Sequence, residues 1–483
     1  MEPIKQIVKK IIPRQFFKKL QPTYHYLLSF AAATFYGYPS NKLVVIGITG
    51  TTGKTSSVYL ISKVLETAGY KVGYTSTSMF KDGQNEWMND KKMTMVGGFF
   101  THKLLRKMVK NRCHYAIVET TSEGIRQFRH RFINYDTLIF TGLYPEHIES
   151  HGTYENYKKA KGELFAHLKK CKTKYINDYN TVVTPKNELK KLDLKRVKKT
   201  IIANYDDAET GYFLNFWAER KMVYTNNFET SPEGLSAEIL NTLEIAEYKN
   251  INLSAFGTAF DVALRPDNFA SPKDKLKEIN IKLKLLGSFS AQNAMNALCA
   301  GLAQDLSLSE IKRGLENVKG IAGRMEMINE GQPFSVVVDY AYEPKAVIKL
   351  YEAMDLLPHN KIIHILGSCG GGRDKARQPI LGDLAGKKAD YVVVTNEDPY
   401  DDDPMEIINN VFVGAEKAGK TANENLFKIL DRREAIAKGL SLAKHGDIVL
   451  VTGKGSEQAI CLAKGKKMPW DDRQVVKEEI LRM

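Results

Sequence analysis

Residues 43–48, Leu-Val-Val-Ile-Gly-Ile, form an unbroken apolar run that ends in Thr49-Gly50-Thr51-Thr52-Gly53-Lys54-Thr55. Behind it, Val58, Ile61, Val64 and Leu65 recur at helical spacing up to Gly69. A buried strand, a glycine-rich turn and a helix in that order leave few folds open. The glycines let backbone N–H groups turn inward around phosphate oxygens. Lys54 brings a mobile positive charge, and the Thr55 hydroxyl is a ligand type for Mg²⁺. Ile48 stands where the general phosphate-loop pattern carries its first glycine, and Gly50 takes over the turn. An α/β nucleotide-binding domain is the expectation.

The next segments repeat the pattern. His114 to Glu119 is an apolar strand ending in an acid, the place where doubly wound sheets present ligand-binding carboxylates. Thr137 to Gly142 is a third strand, running into Glu146-His147 and His151-Gly152. A helix from Tyr154 follows, with Tyr157, Lys158, Lys161, Leu164 and Phe165. Neither His147 nor Lys161 is informative alone. Their order after the phosphate loop and the strand-end acid points to a metal–triphosphate site.

Composition supports an ordinary globular chain. It has 483 residues, 43% hydrophobic and 26% charged, which excludes disordered, collagen-like and multi-span membrane classes. The net charge of +14 favours anionic ligands. It is spread along the chain without an arginine-rich or aromatic-interleaved tract, so nucleic acid is not expected. The five cysteines, Cys113, Cys171, Cys299, Cys369 and Cys461, have no metal-ligand or redox spacing. They read as reduced thiols in a cytoplasmic protein.

The first forty residues are basic and amphipathic. Ile4, Ile7, Val8, Ile11 and Ile12 share a helical face among Lys5, Lys9, Lys10, Arg14, Lys18 and Lys19, interrupted by Pro13. The apolar run Tyr26 to Tyr36 is shorter than the about 20 residues that span a bilayer. Residues 4–36 are a candidate peripheral membrane contact, and packing onto the body of the protein is the alternative.

Ten motifs in order resemble the Mur ligase family of ATP-dependent amide ligases, over residues 43–480. They begin with Gly-Thr-Thr-Gly-Lys-Thr (50–55), Glu-Thr-Thr-Ser-Glu-Gly (119–124), Glu-His-Ile-Glu-Ser-His-Gly (146–152) and Tyr-Lys-Lys-Ala-Lys (157–161). Gly-Ser-Phe-Ser-Ala-Gln-Asn-Ala-Met-Asn-Ala (287–297), Gly-Arg-Met-Glu (323–326) and Asp-Tyr-Ala-Tyr-Glu-Pro (339–344) follow. The last are Gly-Gly-Gly-Arg-Asp-Lys (370–375), Glu-Asp-Pro-Tyr (397–400) and Gly-Lys-Gly-Ser-Glu (453–457).

The resemblance implies an α/β fold: a central P-loop ATPase domain with a mostly parallel sheet, then a Rossmann-like C-terminal domain. It implies that Gly50, Thr51, Thr52, Gly53, Lys54 and Thr55 cradle ATP. Asn293 and Asn296 then sit by the adenine, and Arg324, Asp339 and Lys375 add contacts from the C-terminal domain. Mg²⁺ ligands would be Thr55, Glu119, His147 and Lys161, the last as a carbamate formed with CO₂. Thr94, Thr121, Gln127 and Arg129 match positions that hold a muramoyl peptide; Arg373 and Glu457 match positions for an incoming amino acid. Catalysis would rest on Lys54, Lys161 and Arg324. A carboxylate would be phosphorylated by ATP, and the resulting acyl phosphate attacked by an amine.

Departures are as informative. About forty residues precede the first strand, where the family carries a uridylate-binding domain of about a hundred. Met95, Glu123, Tyr342 and Ser456 replace a threonine and three histidines of the pattern. Tyr400 stands where diaminopimelate-adding enzymes have an arginine, and Asp398, Asp401, Asp402 and Asp403 surround it. An amino acid with a cationic end, such as lysine or ornithine, is the expectation. Competing readings are a ligase on another acceptor (folylpolyglutamate, cyanophycin or a lipid-linked precursor) and a nucleotide-binding scaffold without catalysis. The chain divides into 1–40, a central domain 41–322 and a C-terminal domain 323–483, with 172–285 read as the rest of the central sheet.

Overall fold

A computed structural model describes residues 14–146, 148–177, 181–183, 194–227, 234–265, 278–373 and 375–483, without the side chains of 14–20, 148 and 149. Ile4 to Pro13 and His147 therefore lie outside the described residues.

The phosphate-loop strand, Val44–Thr49, is buried along its whole length. Its residues alternate between two cores: Val44, Ile46 and Ile48 face one, Leu43 and Val45 the other. Apolar residues on both faces are what a sheet covered on both sides requires. Among the described residues the sheet has eleven strands. Its centre runs in parallel through Val72–Thr75, Tyr115–Glu119, Val44–Thr49, Thr137–Phe140, Thr200–Asn204, Arg220–Thr225 and Glu244–Ser254. Antiparallel strands close both edges. Helices Lys54–Thr67, Ser288–Ala303 and Leu308–Glu316 pack on one face. Helix Tyr154–Leu168 packs on the other, where Phe165 and Phe140 meet Phe213.

From residue 326 a second sheet begins. It has six strands in the order Glu326–Ile328, Ser335–Asp339, Ile448–Thr452, Ile362–Leu366, Tyr391–Thr395 and Leu426–Ile429. All are parallel except the first. Four of these strands match the alternation read from the sequence to within a residue or so. The edge strands Glu326–Ile328 and Leu426–Ile429 are three and four residues long, too short for a periodicity to show.

The stretch 172–285 departs from the reading of a single continued sheet. Lys174–Ile176, Val182–Val183 and Lys195–Val197 form a separate three-stranded sheet. Within 172–285, a helix Thr210–Leu214 precedes the strand Arg220–Thr225. Phe213 and Leu214 are both fully buried, and one helical turn puts these neighbours into the same core where a strand would split them.

Residues Arg14–Phe35 form one helix that runs through Pro22. Ser29, Ala32 and Ala33 are buried; a methyl added to Gly98 would touch Ser29 and Ala32. Its other face exposes Tyr24, Tyr26, Leu27, Phe30 and Phe35. Among the described residues, no helix is long and apolar enough to cross a membrane.

Candidate active site

The phosphate loop is clamped between the carboxyl ends of two parallel strands, where open α/β sheets place their ligands. Thr51 N–H donates to Gly142 O (2.9 Å) and Thr141 Oγ1 to Thr52 O (2.6 Å). A Cβ on Gly50 would lie 2.0 Å from Thr141 Oγ1, and one on Gly53 2.5 Å from Asn293 Oδ1. Gly50 is therefore required by close approach, and Gly53 by its φ of 79°. Ile48 lies inside the strand, so the glycine displaced to position 50 makes the turn.

Lys54 Nζ donates to Gly50 O (3.0 Å) and Thr51 O (2.6 Å). Lys161 Nζ, from helix Tyr154–Leu168, reaches the same Gly50 carbonyl at 2.8 Å. Its side chain is buried, and no described carboxylate lies within ion-pair distance of it. Burial first, then the charge of Lys54, hold the Lys161 ammonium well below the usual lysine range; Glu146 and Glu119 pull the other way.

Glu119 ends its strand facing the loop. Its carboxylate accepts from Thr55 Oγ1 (3.0 and 3.2 Å), Thr77 N–H (2.8 Å) and Thr77 Oγ1 (2.8 Å). Thr77 Oγ1 is 2.9 Å from Thr94 Oγ1. A threonine hydroxyl beside a buried carboxylate is a hard oxygen donor pair of the type Mg²⁺ takes, with room for water and phosphate oxygens beyond it.

The C-terminal domain completes the cleft, which has a volume of about 480 Å³. Arg324 Nη2 lies 3.4 Å from Thr55 Oγ1, and its guanidinium stacks 4.4 Å from the Tyr340 ring centroid. Asp339 holds this arrangement by accepting from Met325 N–H (2.7 Å) and Ala341 N–H (2.6 Å). Burial pushes the Asp339 carboxyl up despite Arg324. Asp339 thus lines the cleft and positions Arg324. Tyr342, in the place of the pattern's histidine, donates to Glu146 across the domains (3.2 Å). Asn293 and Asn296 line the cleft as well, and Asn296 Nδ2 donates to Ser57 Oγ (3.0 Å), joining two helices.

Lys375 is placed differently from the expectation. It is exposed and pairs with Glu406 at 3.0 Å, away from the cleft. A lysine after three glycines is drawn to whichever carboxylate its loop passes, and here that is on a surface helix.

Thr94 and Thr121 line the cleft; Thr121 also caps helix Ser122–Arg126 through Gly124 N–H. Gln127 Oε1 accepts from Arg129 Nη2 (2.5 Å), and Arg129 also bonds Met95 O. The remaining positions form a polar cluster at the carboxyl ends of the C-terminal strands. Asp398 Oδ1 accepts from Lys454 Nζ (2.8 Å) and Cys461 N–H (2.7 Å). Glu457 accepts from Lys454 (2.8 Å) and from Tyr340 OH (3.2 Å). Arg373 lies among Cys369, Tyr400, Tyr340 and Tyr342. No described residue accepts a hydrogen bond from it, which leaves a guanidinium free for a carboxylate. Of the acids around Tyr400, Asp398 faces this cluster, and Glu397 stands beside it, accepting from Cys369 Sγ at 2.7 Å. Asp401, Asp402 and Asp403 accept from the backbone of Lys464, Gly371 and Met405.

Sequence reasoning had no role for Thr77, Glu146, Tyr340 or Lys92. Lys454 stood inside a quoted motif without a function. Only Lys454 carried a usable signal, its place between two glycines at a strand end.

Fold and site together define a two-domain protein whose cleft lies between a phosphate loop and an arginine of the second domain. Residues 48–301 match the Mur ligase middle domain and 323–455 the Mur ligase glutamate ligase domain. A UDP-N-acetylmuramyl-tripeptide synthetase of Roseiflexus sp. (strain RS-1) is 33% identical over 451 residues, 91% of this chain and 79% of that protein. A UDP-N-acetylmuramoyl-L-alanyl-D-glutamate–2,6-diaminopimelate ligase of Halalkalibacterium halodurans is 29% identical over 449 residues, 93% and 80%. A solved 2,6-diaminopimelate ligase of the same description aligns with TM-score 0.55 at 23% identity, over 91% of this chain and 78% of its own; it shows the fold. The chain belongs to the Mur ligase family. It is an ATP-dependent ligase that forms an amide between an acid and an amino acid, and the family uses ATP and Mg²⁺.

Proposed function

We propose that the chain adds the third amino acid to a UDP-N-acetylmuramoyl dipeptide during peptidoglycan synthesis, and that this amino acid carries a cationic side chain. The carrying observation is the carboxylate pair Asp398 and Glu457, which binds primary ammonium groups, beside the free guanidinium of Arg373. A diamino acid such as lysine or ornithine satisfies both, through its ammonium and its carboxylate. Tyr400 offers no bidentate partner for a second carboxylate.

In this reading Thr94, Thr121, Gln127 and Arg129 hold the muramoyl peptide with its terminal carboxylate in the cleft. A carboxylate is a poor electrophile. Transfer of the γ-phosphoryl group gives it a leaving group, and the amine then expels phosphate. The chain's part is to position anions and offset their charge. Lys54 and Arg324 face the phosphates from the two domains. Thr55, Glu119, His147 and Lys161 would hold Mg²⁺, which supplies positive charge to the phosphate oxygens when bound. Lys161 serves as its carbamate. The modification needs a neutral amine, which burial beside Lys54 provides, and it replaces a repelling ammonium by an anionic oxygen ligand. The enzyme works in the cytoplasm.

The test is ADP and phosphate release across acceptors and amino acids. Turnover requiring both a UDP-muramoyl dipeptide and lysine or ornithine is expected. Diaminopimelate far preferred over both refutes the cationic specificity. Turnover only with folates or lipid-linked acceptors refutes the acceptor.

A second reading concerns helix Arg14–Phe35. Its exposed aromatic face, preceded by Arg14, Lys18 and Lys19 in the sequence, favours contact with an anionic bilayer surface. Co-sedimentation with phosphatidylglycerol vesicles, lost in Leu27→Ser/Phe30→Ser, is expected. Sedimentation equal in the variant discards it.

A further inference from the structure

Lys92 belongs to the middle domain, yet its ammonium lies in the polar cluster of the C-terminal domain. Its Nζ donates to Asp398 Oδ2 at 2.8 Å and to Glu457 Oε2. The Lys92 and Asp398 side chains are each 4% exposed, and Lys454 not at all. Lys92 and Lys454 are thus packed against Asp398 and Glu457 largely out of water, and the buried Glu397 carboxylate lies within 4.8 Å of Asp398. The burial cost to the Asp398 carboxyl is outweighed by Lys454 and Lys92, which hold it below its ordinary range.

The loop that delivers Lys92 is built for the purpose. Lys92 has a φ of 57°, a left-handed conformation that disfavours a lysine. Asn89 holds it there. Its Nδ2 donates to Ser76 O (2.8 Å) and Met93 O (3.0 Å), and its Oδ1 accepts from Lys91 N–H (2.9 Å). Lys467 Nζ bonds Lys91 O from the opposite domain (3.2 Å). Glu457 is also joined to the phosphate loop, through Tyr340, Arg324 and Thr55 in turn.

We infer that Lys92 is a tethered occupant of the amine socket: without amino acid it fills the Asp398–Glu457 site and latches the two domains, and an incoming amino acid binds by putting its own ammonium in that place. This rests on the proposed amino-acid pocket. Lys454 stays as the fixed partner, because it belongs to the same domain as the two acids. Lys92 is the replaceable one, because it leaves when the domains part. Removing it leaves an excess buried negative charge that attracts any primary ammonium able to enter.

The experiment uses the full chain without nucleotide and n-butylammonium chloride as probe. Calorimetric titration is expected to give at least tenfold tighter binding to Lys92→Met than to wild type. Lys92→Arg, which keeps the charge, is expected to resemble wild type. Small-angle scattering is expected to show Lys92→Met more open than wild type, with or without n-butylammonium. With turnover conditions added, the KM for the amino acid falls several-fold in Lys92→Met. Equal n-butylammonium affinity in wild type and a folded Lys92→Met, or an unchanged scattering radius, overturns the latch. Probe binding as expected without turnover on any diamino acid retains the latch and refutes the substrate reading instead.

Discussion

Lys161 on one side and Lys174 with Lys199 on the other are buried alike, at 2%, 3% and 1% exposure. They sit at opposite ends of the Thr137–Phe140 strand. At its amino end, Asp136 receives Lys174 Nζ (2.5 Å), Lys199 Nζ (2.7 Å) and Val45 N–H (2.8 Å). Lys174 adds bonds to Leu43 O and Asn134 O, and Lys199 one to Tyr135 O. At the carboxyl end, Lys161 has the Gly50 carbonyl and shares it with Lys54. Depth is therefore not what separates the strand-fastening lysines from the one proposed to carry the carbamate. The difference is a carboxylate in contact. Saturated, a buried lysine fastens strands; unsaturated beside another cation, it is driven toward the neutral amine that reacts.

The largest effect is expected from breaking the saturated end. Asp136→Ala leaves two ammonium groups buried without a counter-charge, and destabilisation of about 3–5 kcal/mol is expected from such a loss. Urea denaturation measures it. A change below about 1 kcal/mol would mean that water reaches both lysines and that the two ends are not different in kind.

Next in size is the loss of the reactive end. Lys161→Ala is expected to lower kcat by about 10²–10³, the scale of removing one preorganised charge at a reacting centre. Added acetate or propionate is expected to restore part of it by supplying the missing oxygen ligand. Unchanged activity removes Lys161 from the mechanism. Loss without rescue by any short carboxylate leaves Lys161 as an amine and removes the carbamate.

This contrast was half legible in the sequence. The strand–loop–helix unit, Glu119 at its strand end and Lys161 on the following helix could be placed from local periodicity and order, because the elements that carry them are long and apolar. The alternating strands of the C-terminal domain were legible for the same reason. Asp136, Lys174 and Lys199 gave no signal: their contacts span 38 and 63 residues, and a single acid before a strand is ordinary. Lys92 was invisible likewise, since its partners lie 306 and 365 residues away. The acids after Asp398 misled in the other direction. Asp403 caps its own helix, while Asp401 and Asp402 bind backbone 63 and 31 residues away, and composition cannot distinguish either from a ligand-facing carboxylate.

The smallest expected effect concerns the pH dependence of stability. Burial outweighs the pull of Asp136 and lowers Lys174 to about 8, whereas the unfolded chain keeps a lysine near its ordinary value of about 10.4. Between these values the unfolded state binds more protons, so stability rises with pH. The native state is handicapped by this group below about pH 8, and the handicap is relieved as the amine loses its proton. The slope contributed by one such group is at most roughly 1.4 kcal/mol per pH unit. Urea midpoints at pH 7, 8, 9 and 10 are expected to fall less steeply, or to rise, in wild type relative to Lys174→Met across the upper part of that range. In Asp136→Asn the same relief begins at lower pH, because the carboxylate that favours the ammonium is gone and Lys174 approaches the condition of Lys161. Parallel profiles for wild type and Lys174→Met would show that Lys174 keeps its proton throughout, and that Asp136 holds it more firmly than burial opposes it.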